Sequence, residues 1–151
     1  VWDYPRPAIC EPTGRRIEVA FGGVLIASTR RAMRVLETSH PPTYYIPRED
    51  ILADALAPAA GGGSLCEWKG LARYFDVRAG GRVATRAAWA YDAPTPPFRI
   101  MAGHVAFYGA MMDACRVDGE QVRYQDGGFY GGWITPDVVG PFKGGPGTMG
   151  W

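Results

Sequence analysis

Leu71-Ala72-Arg73-Tyr74-Phe75-Asp76-Val77-Arg78-Ala79-Gly80-Gly81-Arg82-Val83-Ala84-Thr85-Arg86-Ala87-Ala88-Trp89-Ala90-Tyr91 is the stretch that decides the fold. Leu71, Arg73, Phe75 and Val77 alternate with Ala72, Tyr74 and Asp76, which is the period of a strand. Gly80-Gly81 supplies two residues free to take positive φ, so the chain turns there. Val83, Thr85, Ala87, Trp89 and Tyr91 then share one face of a long return strand. A second hairpin of the same design precedes it. Ile17, Val19 and Phe21 alternate, Gly22-Gly23 turns, and Val24-Leu25-Ile26-Ala27 returns.

Outward from these hairpins the signals remain those of strands and turns. Ala32 to Glu37 is short and is read as a strand, as is Thr43-Tyr44-Tyr45-Ile46. One helix is expected after Pro47. Glu49 and Asp50 suit its first turn, and Ile51, Leu52, Ala55 and Leu56 form its apolar stripe. Pro58 and Gly61-Gly62-Gly63 stop it. Three prolines in Asp92 to Pro97 make a loop. A helical turn is expected over Phe98 to Ala102, followed by strands at Val105–Tyr108 and Met112–Val117, the last ending at an Asp118-Gly119 turn.

The reading is therefore a mainly β fold. It is a single small domain over residues 1–151, tent-like or barrel-like, built of antiparallel hairpins with one short helix. Its core covers about residues 15–125, and a long tail rich in glycine and aromatics covers 126–151. Aromatics as dense as Phe129, Tyr130, Trp133, Phe142 and Trp151 are expected to wrap the domain or a partner, and a homodimer is one such arrangement.

Composition narrows the function. The chain has 151 residues, 47% of them hydrophobic, enough for a real core. Net charge is +1, from 16 basic and 15 acidic residues. That balance predicts no nucleic-acid footprint and no attraction to an anionic membrane. No run approaches the length of a membrane span, and the N-terminal residues lack the pattern of a signal peptide. Cys10, Cys66 and Cys115 are an odd set at wide spacing, which suits a reducing, cytoplasmic setting; a Cys10–Cys115 pair stays open. Three cysteines and two histidines without ligand spacing predict no metal, and no cofactor is expected.

Several segments together resemble a bacterial family known as domain of unknown function 427, which also carries a nucleotidyltransferase label. They are Trp2-Asp3-Tyr4-Pro5-Arg6-Pro7, residues 36–45 around Glu37 and His40, Cys66-Glu67-Trp68-Lys69-Gly70, Ala88-Trp89-Ala90-Tyr91, Val105-Ala106-Phe107-Tyr108 and the tail from Gly128. The resemblance spans essentially the whole chain. It implies a small β fold similar to the β-tent shared by zinc-binding and ligand-binding domains, and no established activity. The zinc-bearing relatives use two Cys-x-x-Cys knuckles, which this sequence lacks. The nucleotidyltransferase label finds no clustered carboxylates in the sequence to hold magnesium, since Asp118-Gly119-Glu120 reads as a tight turn.

Candidate site residues follow from their chemistry. A lysine close to a cysteine favours the nucleophilic thiolate, which makes Cys66 a candidate nucleophile, and Lys69 is also a point charge for a phosphate or carboxylate. No partner base for Cys66 is visible in the sequence, so binding by Lys69 ranks above catalysis by Cys66. Glu37 and His40 precede Pro41-Pro42, which fixes the chain; Glu37 is a candidate general base. Tyr44, Trp68, Trp89 and Tyr91 fall near these motifs. Singly each is a good core residue, but together they read as the walls of a pocket, with Lys69, Glu37 and Arg48 as polar handles. Three functions remain open: a small-molecule binding domain, an enzyme using Cys66 as nucleophile or Glu37 as base, and an interaction module acting through the aromatic tail.

Overall fold

The hairpin of residues 71–91 is the centre of the molecule. Its first strand runs Gly70–Ala79, turns at Gly80 and Gly81 with φ of 57° and 78°, and returns over Arg82–Ala90. The computed structural model describes residues 1–6, 8–66, 69–125, 131–145 and 147–148. In chain order the strands are β1 (Ile9–Pro12), β2 (Ile17–Phe21), β3 (Val24–Thr29), β4 (Met33–Leu36), β5 (Thr43–Tyr45), β6 (Leu56–Pro58) and β7 (Ser64–Cys66). There follow β8 (Gly70–Ala79), β9 (Arg82–Ala90), β10 (Val105–Phe107), β11 (Ala114–Val117), β12 (Glu120–Gln121), β13 (Arg123–Tyr124) and β14 (Trp133–Ile134).

The pairings between these strands are antiparallel. One sheet has the order β10-β9-β8-β6, with β7 added to the start of β8; the others are β1-β4-β5, β12-β11-β2-β3 and the pair β13-β14. Ile46, just past β5, exchanges both backbone hydrogen bonds with Val105 at 2.8 Å. The β1-β4-β5 sheet therefore runs on into β10 and β9. Among the described residues the sheets stay open and do not close into a barrel.

Alternation at this joint sorts the side chains into two clusters. Tyr44, Ile46, Phe75, Val77, Ala88, Ala90, Val105 and Phe107 face a main core shared with Ile17, Val19 and Phe21 of β2 and with Trp133. Tyr45, Ala72, Trp89, Tyr91 and Ala106 face a second cluster closed by Phe98 and Met101. The end of β9 is thus covered on both sides. Each large apolar side chain so enclosed contributes about 1.5–3 kcal/mol over an exposed one.

The register of β8 with β9 breaks between Phe75 and Val77: Phe75 pairs with Ala88, but Val77 pairs with Ala84. The surplus residues bulge at Arg86, whose φ is 51°. Its N–H donates to Asp76 Oδ1 at 2.9 Å, its guanidinium donates to the carbonyls of Ala60 and Gly62 at 3.0 Å each, and it lies 4.2 Å over the Tyr74 ring. The bulge alters the expected face of β9. Trp89 and Tyr91 do share a face, but Ala87 turns into the main core and Val83 is 58% exposed. Leu71, at the other end of the expected face on β8, is 66% exposed.

The expected helix after Pro47 is corrected to two single 3-10 turns, Arg48–Asp50 and Ala53–Ala55, followed by β6. Backbone competition explains this. Ile51 bridges Ala27, and Leu52 N–H donates to Ile26 O at 2.8 Å, so β3 takes the bonds a helix would use. Asp50 accepts from Thr29 Oγ1 at 2.6 Å and Arg31 at 2.8 Å. The turn near Phe98 is a 3-10 segment, Pro96–Met101. Cys10, Cys66 and Cys115 are free thiols. Among the described residues no helix is long and apolar enough to cross a membrane.

From the tail, Trp133 is 1% exposed in the main core, and its indole donates to Phe107 O at 3.3 Å. The Trp2 indole donates to Pro141 O at 2.8 Å. Phe129, Tyr130 and Trp151 lie outside the described residues.

Candidate functional site

A cavity of about 260 Å³ opens on the side of the sheet that carries the second cluster. Four separate parts of the chain bring polar groups to it. The first is the turn after β4, where His40 N–H donates to Glu37 O at 3.1 Å and Ser39 takes φ 69°. Thr38 anchors that turn, its N–H bonding Pro5 O at 3.2 Å and its hydroxyl bonding Tyr4 O. The second is the β7–β8 hairpin, which presents Ser64, Cys66, Lys69 and Tyr74. Lys69 is steadied through its carbonyl, which accepts from Thr95 N–H at 3.0 Å. The third is the end of β9 with Tyr91 beyond it, and the fourth is the region holding Gln125, Gly131 and Lys143.

The wall is aromatic. The Trp89 ring lies 4.4 Å from Tyr108, centroid to centroid, and meets Tyr45 edge-on at 6.3 Å. Tyr45 lies 6.3 Å from Tyr91. The Trp89 indole donates to Tyr45 Oη at 3.4 Å, and Ser64 Oγ shares a hydrogen bond with Tyr74 Oη at 2.7 Å. The chain passes close over the indole at Gly131, where an added Cβ would come 2.2 Å from Trp89 Cη2.

Charge in the site is set by burial. It pushes the hydroxyl pKa values of Tyr45, Tyr91 and Tyr108 above the ordinary phenol range, so these groups remain neutral donors. His40 Nε2 stands 3.5 Å from Glu37 Oε2. Burial holds the imidazole pKa below its usual value; the Glu37 charge opposes this, and the charges of Lys143 and Lys69 add to it. Among the described residues, no group of three or more His, Cys, Asp or Glu is placed to hold a metal ion.

Of the residues singled out from the sequence, Glu37, His40, Cys66, Lys69, Trp89 and Tyr91 meet at this cavity. Tyr44 does not; it is 2% exposed in the main core, tilted against Trp133 at 5.5 Å. Arg48 is exposed at 4.9 Å from the Phe75 ring, and Arg73 pairs with Asp92 at 2.8 Å, both away from the cavity. Trp68 lies outside the described residues, as does Glu67. Sequence reading missed Tyr45, Ser64, Tyr74, Tyr108, Gln125 and Lys143. Tyr45 and Tyr108 are neighbours of Tyr44 and Phe107, so the alternation of β5 and β10 was the available signal. Gln125 and Lys143 carried no local signal.

A family model described as a domain of unknown function (DUF427), whose short name carries a nucleotidyltransferase label, matches residues 9–118. No curated protein matches the chain.

Proposed function

We propose, for a chain that belongs to the family described as domain of unknown function (DUF427) and takes no activity from that description, that the cavity binds a small molecule. Trp89, Tyr91, Tyr45 and Tyr108 serve as its walls, and Lys69 and Glu37 as its polar handles. The observation that carries this reading is convergence. Residues separated by more than fifty positions supply one concave site with apolar rings and few, well-held polar groups, as ligand sites do. A pocket of this size suits a compact, planar molecule that lies against Trp89.

A thermal-shift screen of nucleobases, aromatic acids and cyclic amides tests it. A true ligand raises the melting temperature with the logarithm of its concentration above Kd, and Lys69→Ala or Tyr108→Ala, which leave the main core intact, removes the shift. No stabilisation by any compound across a broad library would end the binding reading.

The Glu37–His40 pair favours a second reading, in which Glu37 acts as general base on a bound substrate. Mass spectrometry of the screen's hits separates the two. A hit that returns chemically changed, and unchanged with Glu37→Gln, marks an enzyme; hits that always return intact mark a binder.

A further inference from the structure

Gln125 is 6% exposed beside the cavity, and its side-chain amide has a single sensible orientation. Its nitrogen lies 2.7 Å from Lys143 O, and its oxygen lies 3.3 Å from Gly132 N–H. Rotating the amide by half a turn would set oxygen against the Lys143 carbonyl and N–H against the Gly132 N–H. Two backbone groups thus decide which end is the donor. The same nitrogen lies 2.9 Å from His40 Nδ1. With one amide hydrogen given to Lys143 O, the other points at Nδ1, which must accept and therefore carries no proton. The proton of the neutral ring then sits on Nε2, the atom 3.5 Å from Glu37 Oε2.

We infer that Gln125 is a positioning residue of this site, fixing His40 in the tautomer protonated at Nε2, the nitrogen nearer the Glu37 carboxylate. The acceptor left for a bound molecule is then the Glu37 carboxylate and not the imidazole, so a ligand presents an N–H or O–H donor to Glu37. This last step rests on the small-molecule reading; the tautomer does not. The geometry around Gln125 is tightly built. Lys143 N–H donates to Ser39 O at 2.8 Å, tying it to the Glu37–His40 turn. A Cβ at Gly132 would stand 2.8 Å from Gln125 Oε1 and 2.7 Å from Pro41 O, so that position leaves room for the amide only as glycine.

Long-range proton–nitrogen NMR on the full 15N-labelled chain reads the tautomer directly and without a ligand. At pH 7 the expected signature of His40 is an unprotonated Nδ1 and a protonated Nε2. His104, away from the cavity, serves as internal reference. Gln125→Leu should move His40 toward a mixture of tautomers, and Gln125→Met, similar in length, is the second variant if the first does not fold. A proton on Nδ1, a doubly protonated ring at pH 7, or a wild-type signature that persists in the folded variant overturns the inference. Each of these outcomes leaves the ligand screen standing, and a failed ligand screen leaves the tautomer standing.

Discussion

Tyr44 and Tyr45 are adjacent and equally enclosed, 2% and 1% exposed, yet their rings serve opposite sides of the sheet. Tyr44 fills the main core, and Tyr45 backs the cavity and accepts the Trp89 indole N–H. Position within a β-strand, not residue type, separates a packing ring from a site ring. This predicts that Tyr45→Phe, which keeps the ring and deletes the acceptor, strands a buried N–H at a cost of about 1–2 kcal/mol. Urea unfolding monitored by tryptophan fluorescence would show the loss, and an unchanged midpoint would count against the bond. The same logic explains what was legible. Glu37, Cys66, Lys69, Trp89 and Tyr91 were readable because motifs and charge mark them. Which of Tyr44 and Tyr45 faces the cavity is not legible in the sequence, because a three-residue run does not fix the strand phase of β5. Gln125 and Lys143 were invisible because only the fold brings them to His40.

At the scale of elements, both glycine-pair hairpins were legible, because Gly-Gly between alternating apolar runs leaves the chain little choice. Their relation was not. The two turns abut: a Cβ at Gly80 would lie 1.9 Å from Gly22 O, and one at Gly22 would lie 2.0 Å from Ala79 O. Both residues also hold positive φ. Gly80→Ala should therefore cost roughly 2–4 kcal/mol through left-handed strain and displaced backbone. Gly81→Ala, with open space around its Cβ, should cost less. Melting temperatures of the two variants check the order, and equal losses would mean that the contact between turns is unimportant. The expected helix at 47–56 failed for the opposite reason. Its apolar spacing was compatible with a helix, but β3 offered Ile51 and Leu52 backbone partners that no local pattern reveals.

For the whole molecule, the pH dependence of stability follows from two thiols, the half-buried Cys10 and the buried Cys115. Burial pushes the Cys10 thiol up to about 11 and that of Cys115 up to about 12, from an ordinary 9.0. The folded state holds these protons more tightly than the unfolded chain, so the contribution is complete below pH 9. It declines as pH rises from there through the folded values. Tyr45 and Tyr91, also raised, act in the same direction. The urea midpoint should fall steadily above pH 9, and Cys115→Ala should make that fall shallower. A midpoint level up to pH 11 would contradict the burial of these groups.

The bulge at Arg86 has one further consequence, a matter of counting. Between Phe75 and Val77 the chain of β8 takes two steps, while β9 takes four from Ala84 to Ala88, so the surplus is two, an even number. At the bulge Ala87 and Ala88 turn to the main core in succession, and beyond them alternation resumes, with Trp89 and Tyr91 at the cavity and Ala90 at the core. A bulge ordinarily takes up an extra residue without turning the following strand over, because two residues there stand opposite one on the partner. The paired stretch beyond it, Ala88 to Ala90, has no such slack: losing one residue there would exchange the two sets, pressing an indole into space shaped for a methyl group and lining the cavity with alanine.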